Sequence, residues 1–368
     1  MLKMIKKALA LALALGLCLG MMSPLQAEED SKLRIVATVF PQYDWLKNVL
    51  GDRIDEVELI LLQDSGVDLH NFQPSAQDIM RVSSADLFVY IGGVSDNWVD
   101  DALSQAVNEE MIAVNLMKEL GDAVKADVTI EGMQDDGHHH GHDHEDHDDD
   151  DHDHDHDHDH DDHDHDDHED HDDHDHDHDH EGGDVTRVHS HDDEHIWLSL
   201  LNAQNLTQVL ADRLSRLDPD HASSYQKNAA AYIKELKALD GEYRQTVEAA
   251  QNNTLLFADR FPFRYLMDDY GLDYFAAFAG CSAETEASFE TITFLSTKVD
   301  ELALNHVLVL EGADKDLAST VIANTTDKNQ AVIVFDSMQS VDRAALNEGV
   351  TYLGIMEANL QALATALQ

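Results

Sequence analysis

Basic residues are scarce. Lys and Arg together number 23 against 75 Asp and Glu in 368 residues, for a formal net charge of -52. Such a surface repels phosphate backbones and anionic headgroups and concentrates cations, which sets nucleic-acid binding aside. Cysteine is nearly missing as well. Of the two, Cys18 falls in or at the edge of the leader described next, so only Cys281 is sure to remain in the mature chain. No internal disulfide is then available, and stability has to come from packing. Long apolar runs are lacking apart from one near the start: Lys3, Lys6 and Lys7 precede the apolar stretch 8–18, and small and polar residues follow up to Ala27. This is the three-part pattern of a secretory signal, too short and one-sided for a membrane helix. Residues 1–27 are read as a signal peptide that exports the protein to the periplasm or the extracellular face of the cytoplasmic membrane. Cys18 offers a lipid anchor as a second fate, although Leu17 before it is bulkier than a lipobox normally allows.

Apolar and basic residues are both absent from 135–181, where almost every residue is Asp, His or Glu. Of the 25 histidines, only His70, His189, His191, His195, His221 and His306 lie outside that stretch. With nothing to bury, the segment cannot offset the entropy of ordering and is read as a solvated, disordered loop. Over residues 152–160 imidazole alternates with carboxylate, a mixture of nitrogen and oxygen donors that suits borderline divalent ions such as Zn²⁺. A run of Asp alone would be a solubilising charge block. The histidines make metal capture the better reading.

On either side of the loop the chain reads as folded protein, and 43% hydrophobic residues suffice for two cores. Strand candidates at 34–40, 57–62, 86–91 and 111–114 alternate with helix candidates at 75–82 and 98–107, and a short helix runs through Trp45 and Val49. Helical spacing of apolar residues marks 196–217, and a longer helix without internal proline runs from Pro219 to about Ala250. The alternation resumes with strands at 254–258, 272–278, 307–310 and 331–335 and helices at 262–269, 289–304, 316–323 and 351–367. The expectation is an α/β protein of two lobes with parallel sheets, joined by one long helix. The boundaries are 32–200 for the first lobe, including the loop at 135–181, 201–251 for the linking helices, and 252–368 for the second lobe.

In open parallel sheets, ligands collect outside the carboxyl ends of the strands. Polar residues at those ends are Asp259, Glu311 and Asp336, while His70 follows its strand by a short loop and His195 sits where a turn enters a helix. Histidines from the first half and carboxylates from the second would meet between the lobes. A single strand-end Asp is more often a cap or turn residue, so Asp259 alone says little. His221 and His306 read as ordinary surface or core groups, and Trp45, Trp98 and Trp197 as core anchors.

Five stretches carry a resemblance: ATVFPQYDW at 37–45, VDLHNFQPSAQDI at 67–79, HIWLSLLNA at 195–203, YGL at 270–272 and VFDS at 334–337. In these the chain resembles the zinc- and manganese-binding solute receptors of bacterial ABC importers. The His-rich loop before HIWLS further resembles the zinc branch. The resemblance implies two pseudo-symmetric lobes bridged by a long helix, an ion in the interlobe cleft, and His70, His195 and Asp336 as ligands. It also carries a departure. Alignment on YGL puts Arg260 where the family normally places His or Glu, and a guanidinium that stays protonated cannot ligate a metal. Asp259 or Glu311 would then complete the site, unless Arg260 pairs with Glu311 and water fills the position.

The function this implies is a monomeric receptor that captures Zn²⁺ and delivers it to an ABC transporter permease in the membrane, and is not an enzyme. Mn²⁺ is the alternative cargo, although it prefers more oxygen ligands than two imidazoles leave. A secreted zinc hydrolase would also need His and carboxylate ligands with an open coordination position. The chain has no HExxH pair and no second ligand four residues after His195. A metal-storing or adhesive surface protein would use the same site with different partners.

Overall fold

In a computed structural model of the chain, residues 32–134, 192–280 and 286–368 are described. The signal peptide, Cys18, Cys281, His189, His191 and the acidic stretch at 135–181 lie outside them.

The first half contains β1 (Leu33–Ala37), α1 (Phe40–Leu50), β2 (Val57–Leu61), α2 (Ala76–Ser83), β3 (Leu87–Tyr90), α3 (Val99–Ser104), β4 (Ile112–Asn115) and α4 (Leu116–Leu120). Two helices follow, α5 (Leu200–Leu217) and α6 (Ala222–Ala249). The second half contains β5 (Thr254–Phe261), α7 (Arg264–Tyr270), β6 (Asp273–Ala279), α8 (Phe289–Glu301), β7 (His306–Leu310), α9 (Asp316–Asn324), β8 (Ala331–Phe335), α10 (Arg343–Asn347) and α11 (Tyr352–Ala366).

The strands form two sheets of four, ordered β2-β1-β3-β4 and β6-β5-β7-β8, and all pairings within them are parallel. The second order repeats the first, strand for strand, so the two lobes share one topology. In each, the order reverses beside the first strand, which opens a crevice at the carboxyl ends of β1 and β3 and of β5 and β7.

Strand alternation explains the layering, since neighbouring residues face opposite sides of the sheet. Ile35, Leu87 and Val89 join a central core that also contains Leu255 and Phe257 of the other sheet. Val36 and Phe88 pack outward under α2 and α3, and Leu256 packs outward under α8 and α9. Both faces are covered, as parallel sheets require.

The long helix runs 28 residues, about 42 Å at the usual rise. Its buried side is Tyr225, Ala229, Tyr232, Leu236, Leu239 and Tyr243, alternating steps of four and three. Near its start Asn228 donates to the Val49 carbonyl of α1, and near its end the Tyr243 hydroxyl donates to the Met356 carbonyl of α11. It therefore ties one lobe to the other. Trp45 and Trp197 are core anchors as expected, and the Trp197 indole donates across the cleft to the Ser337 carbonyl at 2.9 Å.

Three local expectations are corrected. The helix expected from 196 begins only at Leu200, because Ile196–Leu198 forms a tight 3-10 turn and Ser199 caps the helix behind it. The helix expected over 98–107 stops at Ser104, since the Val107 and Asn108 amides bond to the Ser83 carbonyl instead. Strand β5 runs on through Asp259 and Arg260, with a register irregularity between Phe257 and Arg260.

Candidate metal site in the interlobe cleft

The site is built on two short Asp-x-His turns. In the first, an Asp68 oxygen accepts the His70 backbone N–H at 3.0 Å and opens the turn Leu69–Asn71. In the second, one Asp193 oxygen accepts both the His195 backbone N–H at 2.8 Å and its ring Nδ1–H at 2.7 Å. The short polar side chain two residues upstream thus sets the backbone of each histidine and, for His195, the ring as well. His195 is fully buried, with its ring edge-on to Trp197 at 5.4 Å.

His70 is oriented by a relay. Its Nδ1 lies 2.9 Å from Ser95 Oγ, and Ser95 donates its hydroxyl proton to Glu194 in a very short bond. The Ser95 backbone N–H donates to the other Glu194 oxygen at 2.8 Å. With its one proton committed to Glu194, Ser95 Oγ must accept from Nδ1–H of His70. The close approach depends on Gly93, at φ +87, because a Cβ there would sit 2.4 Å from a Glu194 oxygen.

Both neutral imidazoles therefore carry the proton on Nδ1 and turn a free lone pair outward at Nε2. The two Nε2 atoms are 3.3 Å apart. Facing acceptors repel unless a donor or cation joins them, and here the buried Gln339 supplies a donor. Its amide nitrogen lies 2.7 Å from His195 Nε2 and 3.5 Å from His70 Nε2. Burial, and then the charge of His195, lowers the pKa of His70 to about 4. Burial also works to lower that of His195, but the Asp193 carboxylate at Nδ1 together with the Glu194 and Asp68 charges leaves the pKa raised.

The structure joins His70 to His195 and keeps the carboxylates of the expected site apart from them. Among the described residues, no three His, Cys, Asp or Glu side chains are grouped to hold a metal. Asp336 accepts from the Met338 N–H at 2.8 Å, and its own N–H and carbonyl are bonded to Asn359. Glu311 accepts from the Ser337 N–H, the Ser337 hydroxyl and the Ser340 hydroxyl. Burial and the neighbouring Asp336 charge push its pKa up to about 7. These two acids shape the turn that delivers Gln339, with Met338 held at φ +64.

Asp259 spends one oxygen on the Leu310 amide of β7 and the other on the adjacent Arg260 amide, at the point where the β5–β6 register shifts. The expected pairing of Arg260 with Glu311 is also corrected. Arg260 reaches across the cleft to Asp68 at 3.0 Å, and so braces the turn that bears His70. Glutamine at 339 gave no sequence signal because a neutral amide is an unremarkable ligand. The repeated Asp-x-His at 68–70 and 193–195 was a signal that could have been read.

Two imidazoles buttressed at Nδ1, converging at Nε2 between lobes of repeated topology, frame the comparison with known proteins. Residues 35–366 match the family described as zinc-uptake complex component A, periplasmic. The chain belongs to this family. It is 29% identical over 339 residues to the zinc-binding lipoprotein AdcA of Streptococcus pneumoniae, covering 92% of this chain and 56% of that protein. The chain thus spans about half the length of that relative. It is 27% identical over 337 residues to the high-affinity zinc uptake system protein ZnuA of Bacillus subtilis, covering 91% of this chain and 88% of the other. Among solved structures, it is similar to the Zn(II)-bound ZnuA-like domain of S. pneumoniae AdcA, with a TM-score of 0.62 and 25% identity over 91% of this chain and 99% of that domain. No helix among the described residues is long and apolar enough to cross a membrane.

Proposed function

We propose that the protein is an exported receptor that captures Zn²⁺ in the interlobe cleft and delivers it to the permease of an ABC importer. The observation that carries the reading is the 3.3 Å separation of the two Nε2 atoms. Two nitrogens bound to one tetrahedral zinc at about 2.0–2.1 Å stand about 3.4 Å apart. The rings are therefore already spaced for a shared ion. Buttressing of each Nδ1 by a carboxylate, directly or through a hydroxyl, is the usual outer support of a histidine ligand.

Gln339 completes a third position. In the ion-free arrangement its amide nitrogen satisfies the two lone pairs, and a half-turn of the amide brings Oε1 to the ion instead. Two nitrogens and a single neutral oxygen favour Zn²⁺ over the harder, oxygen-seeking Mn²⁺. The acidic His-rich stretch at 135–181 serves as a collector of weakly held ions.

Membership in a family of solute receptors supports transport and not hydrolysis. The Glu194 and Asp193 side chains on the Nδ1 sides of the two rings are engaged with Ser95 and His195 and so buttress the proposed ligands. A titration of zinc-free protein with Zn²⁺ tests the reading. Replacing either His70 or His195 by Ala should abolish the tightest site. Retention of that site in both variants contradicts the proposal.

A further inference from the structure

A cavity of about 400 Å³ lies at the carboxyl ends of β5 and β7, where the order of the second sheet reverses. Two segments of the chain link it to the surroundings of the histidine pair. Arg260 lines it and pairs with Asp68 beside His70, and Ser340 lines it directly after Gln339. One wall is apolar, from Ala258, Phe278 and Leu317. A cavity of this size at a strand-order reversal fits a small molecule of several carbons.

Two cationic side chains on its wall, Arg260 and Lys315, are placed to meet an anion. Asp259 and Glu311 have both oxygens bonded within the protein, Asp259 to backbone amides and Glu311 to Ser337 and Ser340, and exposed Asp314 bonds one oxygen to the Asp316 amide. The cations are less engaged. Arg260 commits a single nitrogen to Asp68, and among the described residues the Lys315 ammonium has no ion-pair partner. The guanidinium fork matches a carboxylate geometrically. Meanwhile the donors offered to the ion, two imidazoles and an amide, are all neutral and number three, one short of a tetrahedral set.

We infer that the protein takes its ion together with a small carboxylate chelator, which seats in this cavity with one carboxylate on Arg260 and Lys315 and supplies the missing anionic donor to the metal. The inference rests on the proposed capture of Zn²⁺ by His70 and His195. It turns Arg260, which cannot ligate, into the residue that recruits a ligand.

The test uses the full mature chain, with one equivalent of Zn²⁺ and radiolabelled citrate or L-histidine, followed by rapid gel filtration. The expected result is about one chelator retained per protein only when zinc is present, falling about tenfold in Arg260→Gln and in His195→Ala, and by a smaller factor in Lys315→Gln. Lys315→Gln, at an exposed position, should bind zinc as the parent does in chelator-free buffer. Failure to retain either chelator while zinc binds tightly overturns the inference and leaves zinc capture standing, and so does retention unaffected by Arg260→Gln. Absence of tight zinc binding in chelator-free buffer and in the presence of both chelators overturns zinc capture and the inference with it.

Discussion

His70 and His195 meet nitrogen to nitrogen at 3.3 Å across the cleft, each with its far ring nitrogen held by an acceptor. The chain brings these residues together over a separation of 125 positions without a covalent tie. The proposed capture of Zn²⁺ draws on these two lone pairs pointed at one place.

The amide of Gln339 is the third group at that place, so its charge is a lever. Gln339→Glu should tighten zinc binding by about tenfold or more, because an ionised oxygen replaces a neutral one at a partly desolvated ion. Gln339→Leu should weaken binding and leave the fold intact. Competition with a zinc-sensitive dye measures both. A Glu variant with unchanged or weaker affinity would show that the side chain does not reach the ion.

Proton competition follows from the two unequal imidazoles. Zinc requires neutral Nε2 on both rings. His195 has its pKa raised above the ordinary value of 6.5, so its proton competes with the ion as the pH falls through and below neutrality. His70, lowered to about 4, competes only in strong acid. As the pH falls below the raised pKa of His195 the dissociation constant should rise, with release of one proton and not two on zinc binding. Calorimetry in buffers of different ionisation enthalpy counts the protons. Asp193→Asn removes the charge that raises His195, so it should shift this dependence to lower pH and weaken binding at high pH by loosening the ring.

The position of Arg260 gives a variant in the opposite sense. Arg260→His places an imidazole on β5 where the guanidinium stood and removes a positive charge from the neighbourhood of His70. Zinc binding without any chelator should tighten, by calorimetric titration. Unchanged or weaker affinity would mean that residue 260 is not at the ligand position. Asp259→Asn should lower stability more than affinity, because both oxygens of Asp259 hold backbone amides. Glu311→Gln should lower affinity by loosening the Ser337 turn that carries Gln339.

Much of this was legible in the sequence. Alternating strand and helix patterns gave two parallel sheets, and the proline-free amphipathic run gave the long helix, because both depend on local periodicity. His70 and His195 could be singled out because imidazole is a distinctive donor, and the structure brings the two rings together. Asp336 was harder to read because an acid after a strand serves equally well as a turn-former, and here it bonds to Met338 in the turn that carries Gln339. The partner of Arg260 could not be read, since Asp68 and Glu311 lie on different lobes and only the closure of the cleft selects between them. The bulge in β5 also escaped notice, as the ladder bonds it disturbs belong to neighbouring strands.

The loop at 135–181 and the histidine pair are distinct binders in this account, and one titration separates them. Zinc-free protein lacking residues 135–181 is titrated with Zn²⁺, beside the same deletion carrying His195→Ala. The account expects one tight site in the first, with the weaker sites gone, and none in the second. Loss of the tight site on deleting the loop alone, or its survival in the His195→Ala protein, would contradict it.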